Sequence, residues 1–185
     1  MKSIERRAWL WSLTGLILLL CFAFACQDKA AMAELQHMKA QAEAEMHNAA
    51  TLRRFLEESD KRNLDAWREI CTSDYQLHFA GNAPMSLEEH IQANKSGPEA
   101  FPDFRHTIED IVAQGDRAVF RVTLHGTHQG TFMGIPATGK AIQYTAMGMA
   151  RFRDGKIAEM WMEADFLGLF QQLGMELRPI EAIKK

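Results

Sequence analysis

The run KAIQYTAMGMARFRDGKIAEMWMEA, Lys140–Ala164, decides the fold. Two stretches rich in β-branched, aromatic and other apolar residues flank Asp154-Gly155, a dipeptide that tolerates the positive φ angles of a two-residue hairpin loop. With that loop, Phe152 pairs with Ile157, Ala150 with Glu159, Gly148 with Trp161, Ala146 with Glu163 and Tyr144 with Asp165. The other face pairs Met149 with Met160, Met147 with Met162 and Thr145 with Ala164, since strand side chains alternate with period two. The first face sets the Trp161 ring against small residues, with a phenol and a carboxylate at its far end. Such a mostly apolar hollow with a few polar groups suits a small hydrophobic ligand. The second face is a methionine patch, suited to core packing or to a homodimer contact. Parity leaves open which face looks inward, and a bulge would scramble both.

Working outward, Phe104–Gln114 and Arg117–His128 read as a second hairpin about Gly115-Asp116, pairing Ile111 with Phe120 and Asp110 with Arg121. Phe120, Val122, Leu124 and His128 share one face. His125 falls on the other, so the HGTH run does not bring two imidazoles together, and no metal motif such as HExxH or paired cysteines occurs. DYQLHFA, Asp74–Ala80, alternates as a half-buried strand carrying His78. LRRFLEES and NLDAWREICT read as short helices divided at Asp60–Asn63. Ser86-Leu87-Glu88-Glu89 has the form of a capping box, and FLGLFQQL stops at Gly174. Helices, a strand, a helix and four antiparallel strands make an α+β domain, a curved antiparallel sheet packed on helices around a pocket. The loop GIPATGKA, Gly134–Ala141, comes within one residue of a phosphate-binding loop. Ala141 lacks the metal-contacting hydroxyl, Pro136 lacks an N–H, and a strand follows where a helix is required.

Asp165 has two readings. It can be the N-cap of the final helix, or a carboxylate whose pKa is raised by apolar walls so that it exchanges protons near neutrality. His128 and His78 are structural or catalytic, and Tyr144 and Trp161 are packing residues or substrate-binding ones. Cys71 reads as a buried small hydrophobe in a helical stretch.

The 185 residues carry a net charge of −3 and a pI near 6.2, which gives no electrostatic footprint for nucleic acid. Residues 1–25 combine a basic head with an apolar run ending Ala23-Phe24-Ala25, the form of a secretory signal or a single membrane anchor. Cys26, directly after it, is a candidate lipidation site. Each of these readings expects the domain in the cell envelope, attached to the membrane through the N-terminus or released outside the cytoplasm. Residues 26–45 read as a helical linker, 46–176 as the domain and 177–185 as a tail.

TIEDIVAQGDRAVFRVTLHGTHQGTFMGIPATGKAIQY, followed by RFRDGKIAEMWMEADFLGLFQQLG, resembles the SnoaL-like polyketide cyclase family, also called ester cyclases. The DGKI turn, the Glu-x-Trp and the Trp-x-x-x-Asp spacing carry the likeness. It implies the nuclear-transport-factor-2-like cone and an aspartate acting as general acid/base in an intramolecular aldol closure, at the position of Asp165. His78 and His128 fall where the family often carries histidine. The chemistry that the likeness implies needs no metal or organic cofactor: a carboxylate removes a proton beside a carbonyl while Tyr144 or His128 steadies the enolate. The alternative is a non-catalytic module that binds a lipid or another hydrophobic ligand.

Overall fold

A computed structural model of the chain describes residues 2–79, 81–95 and 97–176, with the backbone alone for residues 2–27 and for Pro98. The chain divides into two units, Met1–Glu43 and Ala44–Lys185. The first is helical. Cys26 and the apolar run before it lie outside the residues whose side chains are described, and among the described residues no helix is long and apolar enough to cross a membrane. The rest of the fold concerns the second unit.

Helix α1 (Lys2–Asp60) ends where Arg62 turns left-handed, φ 61°, and the N–H of Asn63 closes on the carbonyl of Glu58 at 2.9 Å. A short 3-10 turn (Leu64–Ala66) leads into α2 (Trp67–Ile70). Trp67 stacks on Phe55 of α1 with ring centroids 4.2 Å apart, and its indole N–H donates to the Phe55 carbonyl at 3.1 Å, so the polar end of a buried ring is satisfied. The helix stops two residues earlier than the sequence suggests. Cys71 is already the first residue of β1 (Cys71–Phe79), buried, with its thiol pushed up to about 12 by that burial.

After β2 (Met85–Ser86), α3 (Leu87–Lys95) opens on the expected capping box: the N–H and hydroxyl of Ser86 both donate to Glu89 Oε2 at 2.7 Å. Then come α4 (Gly97–Ala100), β3 (Arg105–Gln114), β4 (Arg117–Thr127), β5 (Ala141–Arg153), β6 (Lys156–Ala164) and α5 (Phe166–Leu173). The sheet order is β2-β1-β6-β5-β4-β3, antiparallel throughout except for β1 beside β6. The residues between β4 and β5 fold back on themselves: His128 N–H donates to the Lys140 carbonyl, and Gly139 N–H to that of His128, each at 2.9 Å. A strand follows this loop, as expected, so GIPATGKA makes no phosphate cradle.

The second hairpin has the expected register, with Ile111 opposite Phe120 and Asp110 opposite Arg121. The first has it only at the turn. Arg153 pairs with Lys156 and Phe152 with Ile157, but Ala158 is an extra residue, and Arg151 then pairs with Glu159. Every later pair moves by one: Ala150 meets Met160, Met149 meets Trp161, Gly148 meets Met162, Met147 meets Glu163 and Ala146 meets Ala164. A bulge puts two successive residues on the same side, and here Ile157 and Ala158 are both buried. Trp161 therefore leaves the face of Gly148 and Ala146, while Met160 and Met162 join it. Gly148 makes room for Phe120 rather than for Trp161. A Cβ there would lie 2.5 Å from the Phe120 ring and 2.7 Å from the Trp161 carbonyl oxygen.

The bulge separates the four methionines in a way that stability can report. Met160 is 1 % exposed and Met147 56 %. Met160→Glu should cost on the order of 3 kcal/mol or more, because it buries a carboxylate without a partner. Met147→Glu should change the stability of the folded subunit itself by less than about 0.5 kcal/mol, as surface substitutions usually do. Urea denaturation of the two variants measures the difference, and equal losses would mean that the register is wrong.

Candidate functional site

The inner face of the sheet and the helices α1, α2 and α3 enclose a cavity of about 220 Å³. Its walls are mostly apolar: Phe55 and Leu56 from α1, Trp67 from α2, and Leu77, Leu124, Met160 and Met162 from the sheet. Among the described residues that line it, three titrate: His90 of α3, His106 of β3 and Tyr144 of β5.

Tyr144 is the expected substrate-binding residue that the fold brings to the cavity wall. Burial pushes its hydroxyl up to about 12, so it stays a protonated donor. His90 is 6 % exposed, with Nδ1 3.2 Å from the Tyr75 hydroxyl, and burial lowers it to about 4, which leaves the ring neutral. His106 differs from both. Its Nδ1 lies 2.6 Å from Asp60 Oδ1, and its backbone N–H donates to both Asp60 carboxylate oxygens at 3.1 Å. Asp60 is the last residue of α1, so the carboxylate joins the helix end to the edge strand β3.

The other expected residues lie elsewhere. His78 and Trp161 face the opposite side of the sheet, their rings stacked with centroids 5.1 Å apart. His78 Nε2 is 2.8 Å from Glu159 Oε1, and Glu159 Oε2 accepts two N–H groups of Arg151. That hydrogen bond from Arg151, ahead of the one from His78, keeps the Glu159 carboxyl below its ordinary range. His78 and Trp161 edge a shallow groove beside Met147 and Met149. His128 is fully buried and stacks on Phe101 with centroids 5.2 Å apart. The N–H of Thr138 donates to His128 Nδ1 at 3.3 Å and the Thr138 hydroxyl is 3.0 Å from it, which fixes the loop before β5. Asp165 is exposed and caps α5, Oδ1 accepting from Gly168 N–H at 2.8 Å. The next residue, Phe166, reaches the cavity-lining Phe79 and Tyr144, at centroid distances of 5.7 and 6.3 Å.

Sequence reasoning missed Asp60 and His106. Glu109 is an extra residue between the pairs Ile108–Val122 and Asp110–Arg121, so the parity counted back from Ile111 sends His106 outward when it points in beside Leu124. The signal available was the alternation of Phe104, His106 and Ile108 on one side, which continues a hydrophobic face.

The family model described as "SnoaL-like polyketide cyclase" matches residues 50–173. The protein named aklanonic acid methyl ester cyclase DnrD, of Streptomyces peucetius, is 37% identical over 128 residues, covering 62% of this chain and 87% of that relative. The solved structure of IdmH from Streptomyces antibioticus, described as a polyketide cyclase, has a TM-score of 0.64 at 31% identity. The match covers 69% of this chain and 99% of that one. A SnoaL-like polyketide cyclase structure from Jannaschia sp. CCS1 gives 0.66 at 26% identity, covering 72% and 95%.

The buried His90 makes stability depend on pH. An unfolded imidazole takes up its proton below about 6.5, whereas the folded one resists until about 4. Between those values the unfolded chain binds more protons, so stability should fall as pH drops from about 6.5 to about 4, by on the order of 3 kcal/mol from this residue. Urea midpoints across that window, compared with those of His90→Leu, should show that part of the slope vanish in the variant.

Proposed function

The chain belongs to the SnoaL-like polyketide cyclase family, and we propose that it performs cofactor-independent acid/base chemistry, of the cyclase or isomerase type, on a small apolar carbonyl compound held in the cavity. The observation that carries this reading is the cavity wall itself: an apolar pocket in which a protonated Tyr144 hydroxyl and an imidazole are presented together. A phenol kept protonated can donate to an oxygen on which negative charge develops, and it does so more strongly in an apolar site than in water. The relative named for a methyl ester cyclase supports a substrate that carries carbonyl groups and cyclises.

Mass spectrometry of small molecules extracted from the purified protein tests this. An apolar carbonyl compound is expected, and it should be lost from Met162→Trp, which fills the cavity. A compound retained equally by that variant, or no carbonyl compound at all, would overturn the reading. With the retained compound as substrate, Asp165→Asn should keep turnover within about twofold, since asparagine caps a helix as well as aspartate. A hundredfold fall with binding intact would instead give Asp165 the proton-transfer role that the family motif implies.

The same reading has the domain working in the cell envelope as a homodimer. The leader 1–25 and Cys26 support the first. An exposed apolar strip supports the second: Val112, Val119 and Met147, 64, 45 and 56 % exposed, stand on the outer face of the sheet. Acyl labelling should depend on Cys26 and vanish in Cys26→Ser, and sedimentation should show Met147→Glu as a monomer beside a dimeric wild type. Labelling that persists in the first variant, or a monomeric wild type, would count against the respective claim.

A further inference from the structure

The cavity needs a group that can take a proton from its occupant and give one back. His90 and Tyr144 cannot do both near neutral pH, the first being held neutral and the second protonated. The sheet walls beside them carry Leu77, Leu124, Met160 and Met162, none of which titrates. His106 is the lining group that remains.

Its surroundings prepare it for the task. A carboxylate can only accept hydrogen bonds, so the 2.6 Å contact with Asp60 is made by a protonated Nδ1. The neutral ring then carries its lone pair on Nε2, which has no partner among the described residues. The imidazole side chain is 11 % exposed and that of Asp60 26 %, so the ring sits in the apolar wall while its carboxylate keeps some contact with water.

Position along the sheet completes the arrangement. His106 pairs with Leu124 and Leu124 pairs with Tyr144. Directly paired residues point to the same face, so imidazole, leucine and phenol stand in a row across three strands. Strands are spaced by about 4.8 Å, which separates the backbones of His106 and Tyr144 by about 10 Å, with Leu124 as the floor between them. A flat carbonyl compound lying on Leu124 would present a C–H to one side and a carbonyl oxygen to the other.

We propose that His106, oriented by Asp60, is the catalytic base and acid of this cavity, with Tyr144 as the donor to the enolate oxygen. This rests on the acid/base reading of the cavity given above. The C–H bond next to a carbonyl breaks, the proton goes to Nε2, and the electron pair moves onto the carbonyl oxygen, which Tyr144 hydrogen-bonds. The enolate carbon attacks a second carbonyl of the same molecule and a C–C bond forms. The new alkoxide takes the proton back from Nε2, so the product is an isomer of the substrate and no co-reactant is consumed. His106 touches the reacting atoms. Asp60 is a positioning residue that fixes the tautomer and steadies the imidazolium.

The test uses 5-nitrobenzisoxazole, a small aromatic probe whose ring opens in one step when a base removes its C–H proton. The proton leaves carbon, the carbon–nitrogen multiple bond becomes a nitrile, and the N–O bond breaks to a coloured phenolate. The full chain should accelerate opening, His106→Gln should lose about a hundredfold of that acceleration, and His125→Gln, on the outer face, should lose none. Asp60→Asn should lower the rate and let His106 take up the tautomer protonated on Nε2, which its ring nitrogens report by NMR. Acceleration that survives in His106→Gln, or that is lost instead in Asp165→Asn, overturns the assignment. If a variant fails to fold, the ring nitrogens of His106 in the wild type decide by NMR: a neutral ring protonated on Nε2 overturns it. A probe that perturbs Leu124 and Tyr144 resonances yet reacts no faster than with His106→Gln sinks this proposal and leaves the cavity a binding site. A probe that perturbs neither sinks the cavity reading beneath it.

Discussion

A β-strand side chain has two directions open to it, and one extra residue exchanges them for everything beyond. This protein uses that constraint twice. Ala158 in β6 turns Trp161 outward and draws Met160 and Met162 in, and Glu109 in β3 turns His106 inward. Both extra residues are accommodated locally. Ala158 is small and buried beside Ile157, and Glu109 accepts the Thr123 hydroxyl at 2.7 Å. Without them the cavity would hold an indole and lack the one imidazole that a carboxylate orients.

That carboxylate has its own constraint. The C-terminus of a helix carries partial negative charge, so Asp60 stands where an acidic side chain is disfavoured by a few tenths of a kcal/mol up to about 1. Its bonds to the backbone N–H and imidazole of His106 offset this and tie α1 to the outermost strand β3. Such charge-assisted bonds are shorter and about twice as strong as neutral ones. The same contact thus closes one end of the cavity and sets the tautomer of the ring on its wall. Fold and chemistry meet in one pair of residues.

Much of this architecture was legible in the sequence. Asp154-Gly155 and Gly115-Asp116 mark their turns because few residues accept positive φ, and Ser86 with Glu89 marks the start of α3 because two side chains must satisfy each other's N–H groups. The cap at Asp165 and the stop at Gly174, φ 97°, were readable for similar local reasons. The site was less legible. Tyr144 reaches the cavity, whereas His78 and Trp161 stack on the opposite face and His128 packs under a loop. Bulges have no signature as strong as a turn dipeptide. The pair Asp60–His106 spans 46 residues and joins a helix end to a strand, so no spacing in the sequence announces it.

The outcome is a division of polar groups between the two faces of one sheet. Outside, His78, Glu159 and Arg151 form a network in contact with water, where charge is screened and each ion pair adds little to stability. Inside, the walls are leucine, methionine and aromatic rings, and a second fully buried charge would cost several kcal/mol. Placing Asp60 partly in water and His106 almost out of it keeps that cost low. The carboxylate keeps solvent contact, and the field it exerts on the ring passes through the low-dielectric wall, where a given charge acts more strongly. An imidazole in that position can gain a proton at one nitrogen while the other stays bound. The apolar wall and the half-wet carboxylate are therefore two parts of one device, and the bulge at Glu109 aligns them.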